Sequence, residues 1–178
     1  MYQGIIMAGF GGQGIVSGGI MLAYAGMVDG RNVTFFPAYG AEMRGGTANC
    51  SVVVSSDPVA SPVVGSPDSI LIMNEPSLPR FEPTLKVNGN LFLNTSLVAS
   101  KPIRQNITVI EVPANDIAEE LGNIKCANMV MLGAYAKKTG AVSLNTLKDS
   151  IKKVYIRASD EMIKLNKKAV DRGAAIIG

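Results

Sequence analysis

The residues of this chain that could do chemistry fall in two short segments, both built around glycine. The first is Gly9-Phe10-Gly11-Gly12-Gln13-Gly14. It has GxGxxG spacing and sits between an apolar run and a stretch rich in small residues, the context of a phosphate-binding turn that opens a helix. Glycines at such a turn let an anion reach backbone N–H groups at the helix N-terminus. The second segment is Tyr39-Gly40-Ala41-Glu42-Met43-Arg44-Gly45-Gly46-Thr47. Arg44 offers a forked donor suited to phosphate or carboxylate. Gly45 and Gly46 would let backbone amides line a concave anion site. Each segment also has a plainer reading. The glycines can serve a tight turn alone, and Glu42 can pair with Arg44 to fix its own loop.

Other chemistries are excluded by what is missing. A nicotinamide site wants a carboxylate at the end of the second strand, and Phe35-Phe36-Pro37 supplies none. Asp29 precedes that strand and is the wrong way round for a ribose. No Lys-Ser or Lys-Thr pair follows the glycines, so a Walker loop fails as well. The chain has no histidine, which removes Ser-His-Asp and Cys-His nucleophile systems and His-ligated metals. Its two cysteines, Cys50 and Cys126, form no ladder that could hold an iron–sulfur cluster. They read as small apolar fillers in a reducing compartment. Glu119 and Glu120 are adjacent, so on a helix they diverge and make no acid/base dyad. Asp57 and Asp68 read as turn or capping residues in proline-rich connections.

The elements that must position the two segments are legible. Gln3 to Ala8 reads as a buried strand, Gly14 to Met27 as a helix closed by Gly30, and Val33 to Phe36 as a strand stopped by Pro37. Together they predict a βαβ unit. Thr47 to Ser55 predicts a strand with Ala48, Cys50, Val52 and Val54 on one face. Ser69 to Asn74, Asn90 to Asn94 and Ile107 to Val112 predict three more strands. Asp116 and Glu119 suggest a capping box opening a short helix. Asn128 to Lys138 is apolar nearly all round and should be buried in the domain or under a partner. Ser143 and Ser159 should cap two last helices, the first with a Leu144, Leu147, Ile151, Val154 stripe, the second with Met162, Leu165 and Ala169 on one side. The fold class is α/β: a single Rossmann-like domain over residues 1–178, mostly parallel sheet flanked by helices, with C-terminal helices.

At 178 residues, 47% apolar and 17% charged, the chain can bury a full core without disulfide staples. No apolar run reaches the length of a bilayer span, and a cytoplasmic location is expected. Residues 1–124 carry six Lys/Arg and ten Asp/Glu, and residues 125–178 carry eleven and four. The basic end can attract an anionic partner, or can simply be the solvated face of amphipathic helices. Nucleic-acid binding is not expected, because no aromatics interleave the basic residues and no reading motif is present.

The pairing of GFGGQG at 9–14 with YGAEMRGGTANCSVVVS at 39–55 resembles the gamma subunit of 2-oxoacid:ferredoxin oxidoreductases. SPVVGSPDSILIMN at 61–74 and NMVMLGAYAKKTG at 128–140 extend the likeness over nearly the whole chain. The resemblance implies an enzyme built from alpha-, beta-, gamma- and delta-type subunits. Such enzymes convert a 2-oxoacid to acyl-CoA and CO2 and reduce ferredoxin. They use thiamine diphosphate with Mg, iron–sulfur clusters and coenzyme A. The gamma part would hold none of these groups alone and would be inactive alone. It would help form the cleft and place coenzyme A. Gly11, Gly12, Gln13 and Gly14 match the family's glycine turn, and Tyr39, Glu42, Arg44, Gly45, Gly46 and Thr47 match its second loop. The 2-oxoacid is expected to be 2-oxoglutarate or a branched-chain acid. Two other readings stay open: a stand-alone nucleotide-binding protein, and a purely structural assembly subunit.

Overall fold

The computed structural model describes residues 1–39 and 46–178, with Tyr39 described by its backbone only. Six strands form one sheet: β1 (Tyr2–Phe10), β2 (Asn32–Tyr39), β3 (Thr47–Ser55), β4 (Ser69–Ile72), β5 (Asn90–Asn94) and β6 (Thr108–Val112). Their spatial order is β2-β3-β1-β4-β5-β6. β3 is antiparallel to both β1 and β2, while β1, β4, β5 and β6 are mutually parallel. The sheet is therefore mostly parallel, as the sequence predicts, with one reversed strand inside it.

That reversed strand corrects the expected βαβ unit. β1, helix α1 (Ile15–Val28) and β2 do follow one another, but β2 does not pair with β1. β3 takes the place between them. The physical reason lies in burial. Val52, Val53 and Val54 are all fully buried, so β3 needs cover on both faces and an interior position. β2 is only half-buried and falls to the edge. An edge strand also tolerates a proline, so β2 runs on through Pro37, opposite Cys50, instead of stopping there.

Helices cover both faces. On one face Ile5, Met7, Cys50, Val52, Leu71, Met73 and Phe92 meet α1, α3 (Ala114–Glu120), α4 (Ala127–Thr139), α5 (Leu144–Val154) and α6 (Asp160–Ala175). On the other, Ile6, Ala8, Val53, Ile70 and Leu91 meet Val64, Leu85 and the short α2 (Ser77–Phe81). The sequence shows only broken chain where α2 lies, because Pro76 and Pro79 mask a single helical turn. Asp68 does more than turn the chain. Its carboxylate accepts from the Gly4 N–H at 2.8 Å and from Lys86 Nζ at 2.7 Å, tying β1 to the start of β4.

Ser143 and Ser159 cap α5 and α6 as expected, their hydroxyls accepting from the N–H of Thr146 and Met162. α3 begins earlier than its apparent capping box. Its start follows Pro113, and the Asp116 N–H is bound by Ser96 Oγ at 3.0 Å, a partner from another segment. α4 is buried from Ala127 to Ala136, and its Tyr135 ring meets Phe92 edge-on at 5.6 Å. Its outer side lies against α6 at backbone distance. A Cβ placed on Gly133 would overlap the Val170 carbonyl, and one on Gly173 would overlap that of Val130.

This contact decides the sign of a substitution. In a free helix Gly→Ala gains roughly 1 kcal/mol, whereas overpacking costs about 1–3 kcal/mol or more. Gly133→Ala is expected to lower unfolding stability by about 2 kcal/mol, read from urea denaturation. A gain in stability would contradict the close approach.

Candidate functional site

The candidate site lies at the carboxyl edge of the parallel strands, where β1 and β4 end side by side. The connection leaving β1 carries α1 on one face, and the connection leaving β4 carries α2 on the other. Strand order diverges at this point, which opens a crevice of the kind that holds ligands in α/β sheets.

The glycine turn fills the mouth of that crevice. Gly12 and Gly14 have φ of 97° and 73°, left-handed values that a side chain would strain. Gly14 is the residue before α1, and no side chain caps the helix there. Its carbonyl accepts from Asn128 Nδ2 at 3.1 Å, which ties the turn to the start of α4. A Cβ on Gly14 would collide with that same amide. α4 also begins without a side-chain cap. The start of α4 thus lies beside the turn as well, but it continues a single 3-10 turn at Ile124–Cys126 that Asn123 caps, so the free positive helix end here is that of α1.

Gln13 has a definite role. Its Oε1 accepts from the Phe10 N–H at 2.6 Å and its Nε2 donates to the Met73 carbonyl at 3.0 Å. It therefore bridges the ends of β1 and β4 across the crevice. Met73 O also receives Asn94 Nδ2 at 3.2 Å, and Asn94 Nδ2 reaches Asn115 Oδ1 at 2.8 Å. This amide chain spans three parallel strands and the start of α3.

The two sequence segments meet here. The Gly11 N–H donates to the Gly46 carbonyl at 3.1 Å. Next to it, Thr47 Oγ1 accepts from Arg80 of α2 at 3.4 Å. Of the predicted residues, Gly11, Gly12, Gln13, Gly14, Gly46 and Thr47 are thus brought together, and the backbone of Tyr39 pairs opposite Ala48. Glu42, Arg44 and Gly45 lie outside the described residues. A pocket of about 170 Å³ beside the turn is lined by Gly12, Gln13, Met73, Asn115, Lys125 and Ala127, with Ile124 at its wall. A second, of about 440 Å³, runs from Phe10 and Gly11 along the start of α1 to Ile20.

Arg80, Asn115, Lys125 and Asn128 were not identified as site residues from sequence. Arg80, Asn115 and Asn128 stand 33, 21 and 114 positions from the residues they bond, and Lys125 reaches the turn only as a wall of its pocket, so the three-dimensional arrangement is what brings them to the site. Asp29 is occupied elsewhere. Its carboxylate accepts from the Ser143 N–H at 2.6 Å and from Thr146 Oγ1 at 2.5 Å, holding the start of α5. Glu120 pairs with Arg172 at 2.6 Å, which leaves Glu119 without it as any kind of dyad. Among the described residues no three His, Cys, Asp or Glu side chains cluster to hold a metal.

An α/β sheet with a glycine turn at its switch point, joined there to a second glycine segment, is the class of open α/β domain that the fold and site define. The chain belongs to the pyruvate ferredoxin/flavodoxin oxidoreductase family, whose model matches residues 4–176. It is 38% identical over 169 residues to ketoisovalerate oxidoreductase subunit VorA of Methanothermobacter marburgensis, covering 94% of this chain and 35% of that one. The 2-oxoglutarate synthase subunit KorC of the same organism is 36% identical over 159 residues, covering 85% and 86%. In three dimensions the chain matches 2-oxoglutarate:ferredoxin oxidoreductase from Magnetococcus marinus, solved with 2-oxoglutarate, coenzyme A and succinyl-CoA bound. The TM-score is 0.90 at 26% identity, over 99% of this chain and 31% of that one. The chain thus spans about a third of the length of VorA and of the Magnetococcus chain.

Neither cysteine has the environment of a reactive thiol. Burial pushes the Cys50 thiol from 9.0 up to about 12, and burial also raises Cys126. The folded state keeps Cys50 protonated where the unfolded chain ionises. Its contribution to stability is therefore intact below pH 9.0 and declines as pH rises above that value. Native protein at pH 8 is expected to leave Cys50 unmodified by iodoacetamide, and denatured protein to label fully, by peptide mass. Rapid labelling of Cys50 in the native state would contradict its burial.

Proposed function

We propose that the chain is the gamma part of a multi-subunit 2-oxoacid:ferredoxin oxidoreductase. In this reading the assembled enzyme oxidatively decarboxylates a 2-oxoacid to acyl-CoA and CO2 with reduction of ferredoxin, in a reducing cytoplasmic compartment. 2-Oxoglutarate and branched-chain acids are the favoured substrates, in keeping with the KorC and VorA relatives. No helix among the described residues is long and apolar enough to cross a membrane.

The observation that carries the reading is the Gly11–Gly46 hydrogen bond, which joins the two family segments at the sheet's ligand edge. Open glycine backbone, the uncapped start of α1 and the Lys125 and Arg80 cations suit an extended, multiply anionic molecule such as coenzyme A. The described residues do not suit the iron–sulfur clusters or the metal of thiamine diphosphate: both cysteines are buried apart from any ligand cluster. Those groups belong with the alpha-, beta- and delta-type partners. The chain's own part is to close the cleft, exclude water and orient coenzyme A.

A purely structural role is the second reading, favoured by the full use of the Gln13 amide in holding β1 to β4. Arg44 separates the two. In the assembled enzyme Arg44→Ala is expected to raise KM for coenzyme A about tenfold, the loss of one charge-assisted hydrogen bond. Unchanged KM and kcat would overturn coenzyme A placement by this residue. Failure to assemble would instead assign Arg44 to a subunit contact.

A further inference from the structure

The pocket of about 170 Å³ beside the glycine turn is bordered by two side-chain amides, Gln13 and Asn115, and by Lys125. Backbone groups behind the pocket decide which end of each amide is engaged. A backbone N–H needs an acceptor, and the acceptor of an amide side chain is its oxygen. The Phe10 N–H is bound by Gln13, so Oε1 turns to it and Nε2 donates to the Met73 carbonyl. The Ala114 N–H is bound by Asn94 Oδ1 in the same way, at 3.1 Å. Nδ2 of Asn94 is then the donor in both its other bonds, to Met73 O at 3.2 Å and to Asn115 at 2.8 Å. Asn115 must therefore meet Asn94 with its oxygen. Asn94 is fully buried, and its oxygen and both its N–H groups are engaged.

The consequence falls on the pocket. Met73 O accepts two amide donors, which takes both its lone pairs. Gln13 and Asn115 have turned their oxygens to protein donors, and what each has left is N–H. Lys125 can only donate. Among the described residues no carboxylate lines the pocket. Holding the strand ends together requires Gln13 and Asn94 alone. Asn115 is half-buried, and its side chain bonds no backbone group among the described residues. Its part is on the pocket side.

We infer that this pocket takes an oxyanion, with Asn115 Nδ2 and Lys125 as its donors and Asn94 as the positioning residue that fixes the sense of the Asn115 amide. A phosphoryl group and a carboxylate share that chemistry. The choice of a phosphoryl group of coenzyme A over the carboxylate of a 2-oxoacid rests on the function proposed above. Asn94 acts without touching the ligand. Its bond to the Ala114 N–H sets its own polarity, and that polarity passes to Asn115 and leaves a donor, not an acceptor, for the pocket.

The test is a titration of the isotope-labelled full chain with inorganic pyrophosphate, read by NMR from the Gly12 backbone amide and the Asn115 side-chain amide. A saturable shift of both is expected. Asn115→Asp keeps the oxygen that Asn94 binds and puts a second oxygen in place of Nδ2. It should weaken pyrophosphate binding roughly tenfold or more, with the thermal midpoint unchanged. A merely structural Asn115 would leave binding as in the wild type. Asn94→Asp removes the donor that orients Asn115 and should weaken binding as much without altering a pocket residue. If that buried carboxylate prevents folding, Asn115→Asp decides alone. Wild-type amides that do not shift, or affinity that survives Asn115→Asp, overturn the inference. In the assembled enzyme Asn115→Asp is expected to raise KM for coenzyme A about tenfold and to leave KM for the 2-oxoacid unchanged. The reverse pattern keeps the oxyanion pocket and assigns it to the 2-oxoacid carboxylate. An assembled wild-type enzyme without turnover dependent on coenzyme A overturns the proposed function and leaves the pyrophosphate result standing.

Discussion

Helix α1 reaches the sheet only because three positions on its inner face have no side chain. A Cβ on Gly18 would stand 2.8 Å from Met7 Sδ, one on Gly19 2.5 Å from Cys50 Sγ, and one on Gly26 2.9 Å from Val33. At that separation the helix begins directly above the end of β1, and the chain between them must turn within the few residues from Phe10 to Gly14. That tightness requires the left-handed glycines and leaves Gln13 within reach of both β1 and β4. The crevice, its amide bridge and the meeting of Gly11 with Gly46 all follow from how deeply one helix is seated.

Much of this was written in the sequence. The glycine turn, the strand with Ala48, Cys50, Val52 and Val54 inward, the buried apolar helix and the serine caps all depend on local pattern, and local pattern is what a sequence displays. The position of β3 is different in kind. Its composition says that both faces are buried, but not which neighbours cover its edges. Pro37 marks a strand end wherever a ladder N–H is required, and only the edge location of β2 removes that requirement. α3 is misread for a related reason, since Ser96 replaces the expected local cap. At the site, the glycines and Gln13 are visible in the chain, whereas Lys125 and Arg80 arrive through packing and carry no motif, and Asn128 lies in a family-like segment that does not by itself point to the turn.

The uneven charge of the chain also finds a structural form. Its basic end is the set of α4 to α6, where Lys137, Lys138, Lys152 and Lys153 sit in last helical turns and suit the negative ends of those helices. Their surroundings are solvated, and the ion pairs among α5 and α6 are exposed and individually weak. Electrostatics here keeps one surface hydrated, while α1 and the turn on the neighbouring surface stay free of charge.

The reversed strand bears on how the chain reaches this arrangement. β2 and β3 pair antiparallel from Tyr39 opposite Ala48 outward, so their ladder closes across a short stretch of sequence. β1 meets β3 with Phe10 opposite Thr47 and Tyr2 opposite Ser55, across a much longer one. Closure entropy favours the nearer pairing. The β2–β3 ribbon therefore closes at a lower entropic cost than the pairing of β1 with β3. The costlier closure is the β1–β3 seam, the same seam at whose upper end Gly11 and Gly46 are joined.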